Sequence, residues 1–161
     1  MKKIRIKRAI VSVFDKIHLD SLADYFVKND IEVLSTGGTA IFLKKFSKKI
    51  KLIEISKFTK FDEILGGRVK SLHPYIHSGI LAKKGNLNHK KELRKINVPF
   101  VDLVVVNLYP FEKVLEETNS TTLKFIENID IGGPTLIRAA AKNFQNVTIL
   151  SEPSQYKSFL K

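Results

Sequence analysis

The stretch Val101–Leu108, with Leu103-Val104-Val105-Val106 at its centre, is the most apolar in the chain and has almost no polar side. A strand with one face in water alternates apolar and polar residues, whereas a strand covered by helices on both faces does not. The run is far too short to cross a membrane as a helix. It therefore predicts a central strand of a parallel sheet. Arg8–Phe14, interrupted only by Ser12, predicts a second such strand. Parallel strands need crossover connections, and the sequence supplies helical spacing at Leu19, Leu22, Ala23, Phe26 and Val27. Asp15 is expected to cap that helix and Asn29-Asp30 to end it. Ile31–Leu34, Lys51–Ile55 and Val147–Leu150 read as further strands. Helices are expected through Ala40, Leu43 and Phe46, over Phe61–Leu65, over Lys90–Ile96, over Thr121–Asn128 with Leu123 and Ile126 facing inward, and from Pro134 through Arg138–Lys142. Ile80–Ala82 reads as a short strand or bend, Gly85–His89 as a flexible loop, and Ser151–Lys161 as the start of a last helix. Strands alternating with helices give an α/β fold with a mainly parallel sheet.

At 161 residues, 43% of them hydrophobic, the chain is long enough for one domain with a real core. It has no cysteine, so disulfides, thiolate metal sites and cysteine nucleophiles are excluded. The basic N-terminal residues are followed by an apolar run broken at Asp15 and Lys16, too short for a signal peptide or a membrane span, and a cytoplasmic location is expected. The net charge of +12 suits an anionic partner. Lysine pairs such as Lys44-Lys45, Lys48-Lys49 and Lys90-Lys91 fit solvated helix faces equally well. No aromatic-interleaved basic repeat or zinc finger speaks for specific nucleic-acid binding.

Sheets of this class bind ligands beyond the carboxyl ends of their strands. The expected strand ends carry Ser12, Thr36-Gly37-Gly38-Thr39 and Asn107-Leu108-Tyr109, which puts polar and glycine features on one edge. Thr36-Gly37-Gly38-Thr39 joins a strand to a helix, which aims backbone amides at an anion. It is neither a Walker loop nor G-x-G-x-x-G, so a monophosphate matches it better than a triphosphate or dinucleotide; otherwise it is a plain turn with a capping threonine. Gly66-Gly67-Arg68-Val69-Lys70-Ser71-Leu72-His73-Pro74 is a basic segment in which Arg68 and Lys70 would point the same way if extended. His73 is kept out of a helix by Pro74. In Asp130-Ile131-Gly132-Gly133-Pro134, Asp130 is either a general base beside free amides or a helix cap. His73 and His77 have a metal-like spacing but no third ligand nearby. Tyr109 by default is a half-buried aromatic, and Lys142 a solvated cation. No G-x-S-x-G nucleophile elbow is present.

Ser12-Val13-Phe14-Asp15-Lys16, Ser35–Ala40, Gly66–Pro74, His77-Ser78-Gly79-Ile80-Leu81, Asn107–Phe111 and Ile129–Asn143 together resemble the IMP cyclohydrolase domain of the bifunctional AICAR transformylase/IMP cyclohydrolase family. The likeness runs from about Ser12 to Pro153. The resemblance implies a methylglyoxal-synthase-like three-layer α/β/α sandwich around a five-stranded parallel sheet. It implies dehydrative closure of 5-formamidoimidazole-4-carboxamide ribonucleotide (FAICAR) to IMP, a hydrolase-class step of purine biosynthesis, with no cofactor and no metal. Carried over by position, the catalytic residues are Lys70, Tyr109, Asp130 and Lys142. The nucleotide-binding residues are Ser12, Lys16, Thr36, Gly37, Gly38, Thr39, Arg68, Ser71, Asn107, Ile131, Gly132 and Gly133.

Phe14 stands where many members have a small polar residue, so a contact near Ser12 is expected to be lost. Ser71 stands where threonine is frequent and keeps the hydroxyl. The family normally continues into a folate-dependent transformylase domain, and residues 1–161 are expected to be the cyclohydrolase domain alone, cut short at the C-terminus. A homodimer is compatible with this picture; a specific nucleic acid or membrane partner is not expected. A non-catalytic module binding a phosphorylated ligand on the same fold is the alternative.

Overall fold

The computed structural model describes residues 5–116 and 121–161. Among them, five strands form one parallel sheet: β1 (Arg8–Val13), β2 (Glu32–Ser35), β3 (Lys51–Glu54), β4 (Leu103–Asn107) and β5 (Thr148–Leu150), in the order β3-β2-β1-β4-β5. The expected central strand is β4, buried at every position, with Ala9 opposite Leu103 and Val13 opposite Asn107 on β1. Helices α1 (Leu19–Lys28), α2 (Gly37–Phe46), α3 (Ile55–Thr59), α4 (Pro74–Leu81), α5 (Leu87–Lys95), α6 (Phe111–Glu116), α7 (Thr122–Glu127), α8 (Gly132–Lys142) and α9 (Tyr156–Phe159) make the connections and the end of the described chain.

Side-chain alternation divides the core into the two layers that a sheet covered on both faces requires. Ala9, Val11, Val13, Val33, Leu103 and Val105 meet α1, α2 and Tyr156 of α9. Ile10, Leu34, Val104 and Val106 meet Ile55, Ile76 and Ile80 on one side of that layer and Leu136, Ala139 and Ala140 of α8 on the other. The three-layer α/β/α expectation is met. Burying each branched side chain of β4 contributes about 1.5–3 kcal/mol, so a charge at Val105 would not be tolerated. The small face of α8 lets its backbone approach the sheet closely.

At the amino ends of the strands, polar groups close the sheet. The buried Asp102 carboxylate accepts from the amides of Lys7 (2.8 Å) and Arg8 (3.0 Å). It also pairs with Lys84 at 2.5 Å. The Asp102 backbone donates to Arg8 and accepts from Thr148, and the Arg8 guanidinium pairs with Glu32 on β2.

Several local expectations are corrected. Asp15 is not the cap of α1: its Oδ1 accepts from Ile17 N (2.9 Å), and the helix starts later, after His18 in a left-handed conformation. No helix covers Phe61–Leu65; a helix forms earlier, at α3, where Ile55 is buried. Ile80 and Leu81 end α4 rather than form a strand, with Ile76 and Ile80 in the core. Gly85–His89 contains a helix start, because the Asn86 side chain accepts from the amides of Asn88 and His89. Leu123 and Ile126 of α7 face outward, 73% and 48% exposed. Two apolar residues in one short helix do not establish a neighbour to bury them.

Candidate active site

Beyond the carboxyl ends of β1 and β4 lies a cleft of about 580 Å³, a volume typical of small-molecule sites. Ser12, Thr36, Arg68, Lys70, Ser71, Asn107, Tyr109, Asp130, Ile131, Gly132 and Gly133 line it. Segments far apart in sequence thus converge: Ser12 and Asn107 come from the paired strands β1 and β4, Thr36 follows β2, and the turns before α4 and α8 close around them.

The Gly66–Pro74 segment is extended at His73, as Pro74 requires, but not at its start. Leu65–Gly67 forms a 3-10 turn with Gly66 at φ 63° and Gly67 at φ 94°, and Arg68 is in the right-handed helical region. Arg68 and Lys70 consequently have different partners. Arg68 pairs with Glu127 of α7, whose carboxylate raises the guanidinium pKa through hydrogen bonding and charge. Lys70 Nζ lies 3.4 Å from Glu63 Oε2. Ser71 is buried, and a Cβ at Gly132 would lie 2.8 Å from its Oγ, so the start of α8 packs directly on this hydroxyl.

Asp130 Oδ1 accepts from Gly133 N at 2.8 Å. A Cβ on Gly133 would meet Asp130 Oδ2 and Leu108 Cδ2, each at 2.5 Å, which is why glycine is needed there. Pro134, the third residue of α8 rather than the first, has no N–H, and Gly133 gives its own to Asp130. Of the amides expected to be free beside Asp130, that of Gly133 is therefore taken. Tyr109 stands just beyond β4 with its ring edge-on to Phe14, centroids 4.3 Å apart at 78°. Phe14 is 49% exposed at the cleft wall.

Other expected binding residues have structural partners. Thr39 Oγ1 donates to Val13 O (3.0 Å) and accepts from Val13 N (3.2 Å), fastening α2 to the end of β1. Asn107 lies at the cleft, yet its amide brackets the Asp15 backbone, accepting from its N–H (2.8 Å) and donating to its carbonyl (2.8 Å). Gly37 and Gly38 open α2 and are exposed; the amides of a first helical turn have no partner within the helix. Lys16 donates to Phe14 O (3.1 Å), lines an adjoining cleft with Asp15, Asn107 and Glu152, and comes within 3.9 Å of a Cβ position on Gly38. Lys142 does not line the cleft. It is exposed in the last turn of α8, whose 11 residues put it about 15 Å from Gly132.

His73 Nδ1 accepts from Tyr75 N (3.1 Å), and the His77 ring nitrogen lies 3.2 Å from His73 O, so the two imidazoles serve the start of α4. Among the described residues no group of three or more His, Asp or Glu side chains is arranged to hold a metal ion. None of their helices is long and apolar enough to cross a membrane. Sequence reasoning missed Glu63 and Glu127. The pairing of Glu127 with Arg68 spans 59 positions and has no local signal.

The MGS-like domain family matches residues 18–135. Curated relatives include proteins named bifunctional purine biosynthesis protein PurH. That of Lactobacillus acidophilus is 49% identical over 97% of this chain and 30% of its own length, and that of Fusobacterium nucleatum is 49% identical over 94% and 30%. The chain thus spans about 30% of the length of these relatives. A crystal structure described as ForH superposes with a TM-score of 0.81 at 32% identity, covering 97% of this chain and 78% of that one. The parallel sheet, the glycine turns at its carboxyl edge and these likenesses agree, and the chain belongs to the MGS-like domain family.

Proposed function

We propose that the cleft closes the ring of FAICAR to give IMP and water, as the cyclohydrolase part of a bifunctional purine-biosynthesis enzyme. The observation that carries this reading is the convergence of Lys70, Tyr109 and Asp130, from three separate turns, on one cleft beside the glycine-led start of α8. The names of the curated relatives support the pathway. Their bifunctionality extends the reading to a folate-dependent transformylase domain joined to this one. In this reading the enzyme is cytoplasmic and uses no cofactor or metal for the closure.

The carboxamide nitrogen attacks the formyl carbon of the same molecule. The new C–N bond converts the formyl oxygen to an oxyanion, and the nitrogen must lose a proton. The oxygen then leaves as water, taking up protons as the ring double bond forms. Holding the formamido group against the carboxamide removes much of the entropic barrier. Asp130 is the base: one carboxylate oxygen is fixed by Gly133 N–H, which orients the other. Lys70 and the Gly132 amide hold the oxyanion. Tyr109, braced by Phe14, returns a proton to the leaving oxygen. Ser12, Thr36, Ser71 and Ile131 contact the nucleotide. The phosphate lies toward Lys16 and the amides of Gly37 and Gly38, and Arg68 reaches it by exchanging Glu127 for phosphate. Thr39 and Asn107 act through the backbone they hold. Lys142, in the last turn of α8, takes no part in proton transfer.

The test is incubation of the chain with FAICAR, without folate and after treatment with a chelator, while IMP is followed by absorbance. Formation of IMP is expected. A well-folded chain that forms none, or forms it only with added zinc or magnesium, overturns the reading.

A further inference from the structure

The backbone between Glu63 and Lys70 runs against ordinary preference. Leu65, Gly66 and Gly67 follow one another at φ 55°, 63° and 94°. Leu65 has a Cβ and is 69% exposed, so burial does not compensate its left-handed conformation. Strain of this kind persists where neighbouring structure over-determines it, and it concentrates at functional sites. Here an antiparallel bridge does so: Ile64 N donates to Val69 O (3.2 Å) and Val69 N to Ile64 O (3.4 Å). Glu63 and Lys70 are the next residues outward from that bridge, and their charged ends meet at 3.4 Å. They meet over the bare Cα of Gly67, where a Cβ would lie 2.6 Å from Glu63 Oε1 and 3.6 Å from Lys70 Nζ. Lys70 lines the cleft and Glu63 does not. Both side chains are well exposed, 37% and 48%, and ion pairs so exposed add little to stability. The strained turn is therefore not explained by the fold energy of the pair it creates.

We propose that Glu63 is a positioning residue: from behind the cleft wall its carboxylate holds the Lys70 ammonium at the reacting oxygen. The proposal rests on the reading of the cleft as the site of ring closure. Glu63 acts only through Lys70, so its contribution is made as the oxyanion forms and not when the nucleotide binds.

Glu63→Gln is expected to lower kcat by roughly tenfold to a hundredfold with KM unchanged, the scale on which a misplaced group affects rate. Glu63→Asp, which keeps the charge, recovers part of the loss. In a Lys70→Ala background, Glu63→Gln costs nothing further. Asp62→Asn, an exposed neighbour on the same stretch, leaves kcat unchanged. A normal kcat in Glu63→Gln, a loss that adds fully to that of Lys70→Ala, or an equal loss from Asp62→Asn overturns the proposal. NMR of lysine side-chain Cε–Hε groups reads the pairing without substrate: Glu63→Gln shifts the Lys70 signal, and an unmoved signal overturns the pairing itself. If the native chain forms no IMP while that signal moves, the reading of the site has failed and the Glu63–Lys70 pairing has not.

Discussion

The two ends of the same strands treat charge in opposite ways. At the amino edge, Asp102 is buried and answered from three sides, by two amides and Lys84, and Thr148 binds its backbone. At the carboxyl edge, Arg68 and Lys70 have exposed acidic partners, and Asp130 uses one oxygen to cap a helix. The amino edge uses polar groups to hold strands together, which needs burial and complete pairing. The carboxyl edge keeps them exposed to water and within reach of a ligand, at the expense of stability.

The largest effect expected from this contrast is at the amino edge. Asp102→Ala should cost about 3 kcal/mol in urea unfolding, because it strands Lys84 and two amides, while the folded fraction keeps its KM and kcat. A loss of turnover at unchanged stability would break the contrast. Next come the cleft residues. Lys70→Ala and Asp130→Asn should each lower kcat on the order of a hundredfold with little change in melting temperature. Asp130→Asn is the sharper of the two, since asparagine can still accept from Gly133 N–H. If it turned over normally with weaker binding, Asp130 would be a cap and not a base.

Gly133→Ala tests the seam between the two roles. Its Cβ would press on Leu108 and on Asp130, so about 1–3 kcal/mol of overpacking should accompany a fall in turnover. A stability loss alone would mean that Asp130 moves aside harmlessly. The smallest effect is expected at Tyr156, whose hydroxyl is buried with no well-formed hydrogen bond among the described residues, the Asn107 side chain being its polar neighbour. Burial pushes its pKa up to about 12. The neutral phenol is favoured in the folded state, so stability is full below the ordinary tyrosine value of about 10 and is lost as pH rises toward 12. Tyr156→Phe should stabilise the protein by about 1 kcal/mol and remove that alkaline decline. Absorbance titration and unfolding at several pH values check both.

The sheet is legible because β1 and β4 are apolar runs with no solvent face, and part of the cleft because Ser12, Asn107 and one glycine turn stand at the carboxyl ends of strands. The illegible parts are those decided by distant partners. Whether Leu123 and Ile126 are buried depends on what packs over α7, and their own spacing is silent on that. The partners of Arg68 and Lys70 depended on a left-handed turn that two glycines permit but do not impose, and Leu65 joins them with no sequence signal. Thr39 looks like a ligand group because it closes a glycine turn whose amides and hydroxyls suit a phosphate; its bond to β1 exists only once α2 is docked. By contrast, Asn86 before Leu87 is a readable helix start, masked only by its polar neighbours.

The strand order also dictates when the cleft comes into being. β1 is among the first residues of the chain, yet its neighbour β4 lies near residue 105, beyond two strands and five helices. A folding chain can assemble β1, β2 and β3 early, but joining β4 closes a long loop, the slow kind of contact in folding. Ser12, Thr36 and Lys70 lie before that closure, and Tyr109 and Asp130 after it. A nucleotide bound between them would therefore act as a clasp across the latest-formed contact. It should slow unfolding far more than it speeds folding, and protect both halves of the chain from proteolysis together.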